Sequence, residues 1–318
     1  MSTTITVALA SIRDTNMTEQ PLTARTPQWP WVKRRLVRIG THGCPHHVDE
    51  LVAVCLLERY LRERGVPCEV VFLSREEIET AASGLDVLVD VGGRFDPAAG
   101  RFDHHQGGPD VEGRSAAGLV FDALYADSPD RNYLEPVIRH IDWIDTGRPG
   151  NHSRATLDHA ETFAAGTAGR GPSMLSLSAV LKAVGGFQHD VGKSAKCLEI
   201  VRALVDSWFR QAATYREAEH VVRSAEKVGG GLFLPDAEAY GPGLLEYLSR
   251  ETNFRFVGFP VSENRFYVVA VRDVEGQNRI LFPQDWSPAA FVHDNQFLAV
   301  FPDADSARHA LQSVQTKR

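Results

Sequence analysis

Cysteine is scarce in this chain and widely scattered. Cys44, Cys55, Cys68 and Cys197 form no CxxC pair, so they read as buried or incidental thiols of a reducing compartment. Long apolar runs are also missing: none approaches the ~18 residues that a membrane crossing requires. The stretch Ile5–Ile12 is short and no basic region precedes it, which makes it a poor signal peptide. The expected location is cytoplasmic. Positive charge is in deficit, with 34 Lys+Arg against 41 Asp+Glu and a net charge of −7. That balance argues against a protein that holds duplex nucleic acid by its backbone alone. It still admits an enzyme that brings metal ions to an acidic pocket. The sequence has no internal repeat and no low-complexity block.

What is present is an ordinary globular composition, 43% hydrophobic over 318 residues, with room for two domains. Residues 1–33 read as a flexible tail with Met17 as an alternative start, and residues 34–170 as an α/β domain. Residues 171–228 read as a helical connecting segment, and residues 229–318 as a smaller α+β domain. In the first domain, a strand over Leu36–His42 leads to a helix from Glu50 to about Arg64. Asp49 is expected as its N-cap, its first half buried and its second half solvated. Strands over Cys68–Leu73 and Leu85–Val91 flank a short helix over Arg75–Ala82, a rhythm that predicts a parallel sheet. Helices near Ser115–Ala126 and Asn132–Ile144 come next, then a loop-like stretch over Gly147–Gly171. A helical stretch over Leu177–Lys227 is broken near Gly185-Gly186, and short strands and two helices complete the chain.

Imidazoles and carboxylates recur where these strands and helices end. His42, His46, His47 and Asp49 follow the first strand, Asp90 closes the third, and Asp103-His104-His105 closes the next extended segment. Asp142 and Asp145 end a helix. Loops at the carboxyl ends of parallel strands converge on one crevice, so groups far apart in sequence can meet there. Mixed imidazole and carboxylate donors suit Mn²⁺, Fe²⁺, Co²⁺ or Zn²⁺, and a pure oxygen shell suits Mg²⁺ better.

The order of these motifs resembles the DHH phosphoesterase superfamily, and within it the melanocyte-proliferating-gene (Myg-type) family of metal-dependent hydrolases and RNA exonucleases. The matching stretches are Ile39–His42 with His47-x-Asp49-Glu50, Val89–Gly93, Arg101–Gln106, Ser115–Val120 and Ile141-Asp142 with Ile144-Asp145-x-Gly147. Asn278–Trp286 and Phe291–His293 continue the likeness toward the C-terminus. Two departures stand out. Gly43, Cys44, Pro45 and His46 replace the family's usual Asn-Gly and aromatic, and Ala299-Val300 replaces a Gly-Gly.

The resemblance implies a parallel-sheet DHH-type domain, a helical linker and a smaller α+β substrate-binding domain. It implies two divalent ions, Mn²⁺ first, with Mg²⁺, Co²⁺, Fe²⁺ or Zn²⁺ as alternatives. His42, His47 and Asp90 would hold one ion, and Asp49, Asp90, His104 and Asp145 the other. Asp142 rivals Asp145, which is preferred for its Ile-Asp-x-Gly context. His105 would face the substrate, with Asp103 behind accepting a hydrogen bond from a ligand imidazole. His46 reads as a phosphate contact or an extra ligand, and Arg279 and His293 as grips on a nucleic-acid backbone. Lys33, Arg34, Arg35 and Arg38 form a basic run, either a guide for RNA or a solvated flank. Small residues at Ser115–Gly118 predict a helix packed closely on the sheet.

The expected activity is phosphodiester hydrolysis, as a 3′–5′ exonuclease on RNA or short oligonucleotides. The expected partners are that substrate and no membrane, with a homo-oligomer left open. A nucleotide or pyrophosphate hydrolase using the same metal site is the first alternative. A non-catalytic binding protein that kept the fold is the second. Retention of so many like charges together argues against an idle site.

Overall fold

The computed structural model describes residues 29–81, 84–147, 177–241, 243–273 and 275–314. The tail lies outside the described residues up to residue 28, and so does the loop-like stretch from residue 148. Within residues 1–33, Pro30–Lys33 forms a 3₁₀ turn and Trp31 is buried. Its indole Nε1 donates to Pro97 O at 2.9 Å, and its ring meets Phe102 edge to face. The chain divides into two compact units, Met1–Phe209 and Arg210–Arg318.

The first unit is α/β. Its sheet has the order β2-β1-β3-β5-β4, with β1 (Val37–His42), β2 (Cys68–Leu73), β3 (Val87–Val89) and β5 (Arg101–Phe102) parallel. β4 (Phe95–Asp96) is an antiparallel edge strand that the sequence pattern does not separate from the turn after it. β1 and β3 are neighbours, while β2 lies on the other side of β1, so the order of the sheet reverses at β1. Crevices form beyond the carboxyl ends of strands at such reversals.

Helix α1 (Val48–Arg62) carries an apolar first half, Leu51 to Leu57, that is buried throughout. Its cap differs from expectation. His47 is the N-cap, because its N–H donates to the Glu50 carboxylate at 2.9 Å and so starts the helix two residues early. Asp49 is thereby free of capping and buried in the first turn. The second half of α1 is solvated as expected at Arg62 and Glu63 but covered at Glu58 and partly at Arg59. Glu58 is buried in a bidentate pair with Arg202 at 3.0 and 3.0 Å, and Arg59 stacks 4.0 Å over the Phe209 ring. An isolated buried carboxylate would be strongly destabilising, and this two-point pairing offsets the loss of water.

Helix α2 (Arg75–Ala81) follows β2. Helices α3 (Ala116–Leu124) and α4 (Arg131–Thr146) follow β5, and α3 packs against both α1 and α4. The small residues at the start of α3 serve α4 as well as the expected sheet, which α3 meets at β5. A Cβ on Gly118 would lie 2.2 Å from Asp142 Oδ1 of α4. Glycine is what lets that carboxylate reach the helix N-terminus. Helix α5 (Leu177–Gly185) stops where Gly186 takes φ +71°, and α6 (Val191–Ser224) begins after a short turn.

The second unit is α+β. Its six strands, in the order β10-β11-β9-β8-β7-β6, are antiparallel apart from the β7–β8 pair. They comprise β6 (Glu226–Val228), β7 (Gly231–Phe233), β8 (Phe256–Ser262), β9 (Arg265–Ala270), β10 (Phe291–Val292) and β11 (Leu298–Phe301). Period-two alternation sorts side chains onto two faces. Phe233, Phe256, Phe266 and Val268 join Phe301 and the helix Ala304–Val314, while Leu232, Val257 and Phe259 join Leu244 and Leu248. Leu244–Glu251 is helix α7 and Ala304–Val314 is α8. The strand β6 takes up Lys227, which the sequence pattern places in a helix. No described helix is long and apolar enough to cross a membrane.

Asp142 is pinned by Ser115 and Arg139 and cannot retreat from a new methyl group. Gly118→Ala is therefore expected to destabilise the first unit by about 1–3 kcal/mol, the usual cost of overpacking, read as a lower urea midpoint with an unchanged m-value.

Candidate metal centre

The sheet delivers three ligand sets to one edge. β1 ends on His42, β3 ends one residue before Asp90, and β5 ends two residues before His104. Asp90 takes φ 57°, a left-handed conformation that Asp tolerates better than most residues. Its N–H still donates to Phe102 O at 2.9 Å, so the turn is tied to the neighbouring strand. The first turn of α1 supplies Asp49 beside its cap His47, and the last turn of α4 supplies Asp145.

These residues meet. Asp90 lies 3.3 Å from His42 Nε2 through Oδ2 and 3.3 Å from His104 Nε2 through Oδ1. His104 Nε2 is also 3.2 Å from Asp145 Oδ2. Donor atoms fall into three overlapping groups, each within 4.8 Å: His42, His47, Glu50 and Asp90; Asp90, His104 and His105; and His47, Asp49 and Asp145. All residues named for the two ions thus share one cluster, apart from Asp142, and Asp90 belongs to two of its groups.

The electrostatics ask for a cation. Burial pushes the Asp49 carboxyl well above the usual carboxylate range, and the negative charges of Asp90 and Asp145 push it further. Burial also raises Asp145, with Asp90 adding to the effect against the pull of His104. Asp90 is held down to about 2, because the His104 and His42 imidazoles beside it outweigh its burial. Burial would lower His42 and His104, yet their neighbour Asp90 raises both. Burial and the nearby His42 lower His47. Among the described residues, Asp49 Oδ1 and Glu50 Oε2 are buried without any hydrogen-bond donor. Asp90 Oδ1 and Asp145 Oδ2 meet only imidazole edges. Orphaned buried oxygens converging with imidazole nitrogens are what a divalent ion would satisfy. His42 Nδ1 donates to Gly43 O at 2.8 Å, which leaves Nε2 facing the cluster in the form that binds a metal. The residues present fit divalent cations.

The other expected residues have different fates. His105 is exposed over 62% of its side chain, and its Nδ1 donates to Asp103 Oδ1 at 2.8 Å. Asp103 also accepts from the His105 and Gly93 backbone N–H groups, so it orients His105 and not His104. Asp142, only three residues before Asp145, turns the other way. Its Oδ1 accepts from Ser115 N and Oγ at 2.9 and 2.8 Å, and its Oδ2 from Arg139 Nη1 at 2.9 Å. His46 is fully buried with both ring nitrogens occupied, by Glu50 Oε1 at 2.9 Å and Ser194 Oγ at 2.8 Å. Burial, and then the nearby histidines, push His46 down to about 4.

Arg279 and His293 belong to the second unit. Arg279 donates to the carbonyls of Leu248, Ser249, Thr252 and Phe254, closing the C-terminal end of α7. The His293 ring packs on Phe297, and its Nδ1 accepts from Asn295 N–H. In the basic run, Arg38 pairs with Glu69 and Arg34 with Asp86. Glu50 and Arg139 escape the sequence reading as functional residues. The placement of Glu50 three and four residues after His47 and His46 is the available signal for it. For Arg139 the signal is its spacing to Asp142 and Glu135 on the same helix, while its third partner Asp122 is brought to it only by the fold.

The MYG1_exonuc family model, described as "Uncharacterised protein family (UPF0160)", matches residues 38–127. The chain is similar to "MYG1 exonuclease" of Homo sapiens, 31% identical over 139 residues that cover 35% of each chain. It is also similar to "MYG1 protein" of Chlamydia muridarum, 24% identical over 302 residues, covering 87% of this chain and 96% of that one. The alignment thus spans about a third of the human relative's length and nearly all of the bacterial one. Among solved structures, RecJ of Thermus thermophilus in complex with Mn²⁺ aligns over 87% of this chain and 51% of its own, at 16% identity and a TM-score of 0.31.

The two helix-end aspartates separate cleanly by experiment. Asp145→Asn is expected to weaken Mn²⁺ binding at least ~10-fold by calorimetric titration, with little loss of stability. Asp142→Asn is expected to keep wild-type Mn²⁺ stoichiometry and to lower the unfolding free energy by about 2 kcal/mol, the scale of a hydrogen bond to a charged group.

Proposed function

We propose that this chain, Myg-type and DHH-like in residues 38–127, is a metal-dependent phosphoesterase that shortens RNA or short oligonucleotides from the 3′ end. The observation that carries the reading is the convergence of Asp49, Asp90 and Asp145 with His42, His47 and His104 at the carboxyl edge of a parallel sheet. On this reading His42, His47 and Asp90 hold one ion, and Asp49, Asp90, His104 and Asp145 hold a second. Mn²⁺ is the preferred ion for this mixture of nitrogen and oxygen donors. Divalent ions held there would supply activation of water near neutral pH and countercharge for phosphate.

The chain's own residues do the rest. Asp103 fixes the Nδ1–H tautomer of His105 and leaves Nε2 free on the open side of the cluster. That nitrogen can donate a hydrogen bond to phosphate when protonated, or pass a proton to the leaving oxygen. Asp90 is positioned by its left-handed turn and His42 by its bond to Gly43 O, so neither needs to reorganise as charge develops. Hydrolysis confined to this crevice suits a chain of net charge −7, which gives no general attraction for polyanions.

The test uses the full chain with Mn²⁺ and three substrates: RNA labelled at either end, a matching DNA oligomer, and pyrophosphate. A ladder receding from the RNA 3′ end is the expected result. Asp90→Ala should lower the rate more than ~100-fold, beyond the loss usual for an outer hydrogen-bond partner. His105→Ala should lower turnover by roughly 10²–10⁴ with metal content unchanged. Hydrolysis of pyrophosphate without laddering of either polymer would replace the exonuclease reading with a small-molecule one. Absence of bound metal and of all three activities would leave only a binding protein.

A further inference from the structure

Glu50 lies inside the cluster, yet neither of the two proposed ligand sets includes it. Its carboxylate is fully buried. Oε1 accepts from the His47 backbone N–H at 2.9 Å and contacts His46 Nδ1 at 2.9 Å. Oε2 is buried and has no hydrogen-bond partner among the described residues. A donor atom of Glu50 stands within 4.8 Å of those of His42, His47 and Asp90.

The direction of the hydrogen bonds follows from chemistry. A carboxylate ionised beside a cation only accepts, so His46 Nδ1 would carry the proton that faces Glu50. His46 Nε2 is then the acceptor, and the Ser194 hydroxyl at 2.8 Å donates to it. Cys44 Sγ, 3.5 Å from Ser194 Oγ, completes the string. The His46 ring is fully buried with both nitrogens engaged, and Phe72 meets it edge to face at 5.4 Å. A side chain on α6 thus fixes the rotamer of a carboxylate on α1 through one locked imidazole.

We propose that Glu50 is a fourth protein donor to the ion held by His42, His47 and Asp90, and that Ser194 and His46 are the positioning residues that aim its carboxylate. This rests on the metal-dependent reading above. Oε1 stands 3.8 Å from His42 Nε2 and Oε2 has no donor, so the carboxylate keeps capacity for a cation after its two hydrogen bonds are made. Such binding also accounts for an orphaned oxygen at full burial, which an apolar pocket would not tolerate without cost.

The experiment reads metal affinity and ligand field and does not depend on turnover. Wild type, Glu50→Gln, Ser194→Ala and Ser194→Thr are titrated with Mn²⁺ by calorimetry, and their Co²⁺ complexes are compared by visible absorption. Glu50→Gln is expected to weaken one of the two binding events at least ~10-fold and to change the Co²⁺ d–d spectrum. Ser194→Ala should do so to a smaller degree, and Ser194→Thr, which keeps the hydroxyl, should restore both readouts. Wild-type affinity and spectrum in a folded Glu50→Gln protein would overturn the proposal. If Glu50→Gln does not fold, the serine pair decides: the proposal stands if only the alanine variant departs from wild type, and falls if neither does. If wild-type protein binds no ion at all, the metal-dependent reading is what fails, and that outcome is distinct from the others.

Discussion

Three carboxylates, Asp49, Asp90 and Asp145, are held close together and away from water, and their mutual repulsion shapes the first unit around them. Burial alone disfavours each charge, and every neighbour of the same sign raises the penalty. The fold answers with imidazoles on two sides of Asp90 and with the N-terminus of α3, where Ala116 N–H approaches Asp49 Oδ2 at 3.4 Å. A divalent ion would answer more completely, because it satisfies several oxygens at once and cannot be lost by deprotonation of a donor.

Holding such a cluster takes support from behind. Asp142 binds the start of α3 through Ser115, and Arg139 secures Asp142 while also reaching Asp122 and Glu135. Asp142, Ser115 and Arg139 are buried and paired with one another, as a buried charge network must be to persist. On the opposite side, His46 links Glu50 to Ser194. Similar residue types therefore play opposite parts within a few positions. Asp145 faces the cluster and Asp142 supports it, while His47 faces it and His46 is sealed behind.

Much of the fold is legible in the residues because periodicity is a local property. The alternation of strand and helix announces a parallel sheet. In a parallel sheet, adjacent strands end at the same edge, which is why His42, Asp90 and His104 meet. The limits of that reading lie wherever partners come from distant segments. The second half of α1 reads as solvated by its charges, yet Arg202, 144 positions beyond Glu58, pairs with that carboxylate and buries it. Arg279, a candidate grip on substrate, instead holds four carbonyls at a helix end.

The sequence by itself determined which chemistry was possible. Its spacing placed imidazoles and carboxylates at the ends of strands and helices, and its net charge excluded a broad polyanion-binding surface. Only the tertiary structure decided which of those groups share a space. On a helix, residues three apart lie on neighbouring lines of the surface, not the same one, and a rotation of α4 by part of a turn would have exchanged Asp142 and Asp145. That rotation is set by Gly118 of α3, which leaves room for one carboxylate, and by Arg139 of α4, which reaches Asp122 of α3. The spacing of Arg139 to Asp142 is visible in the sequence, but neither contact with α3 exists until the two helices are packed.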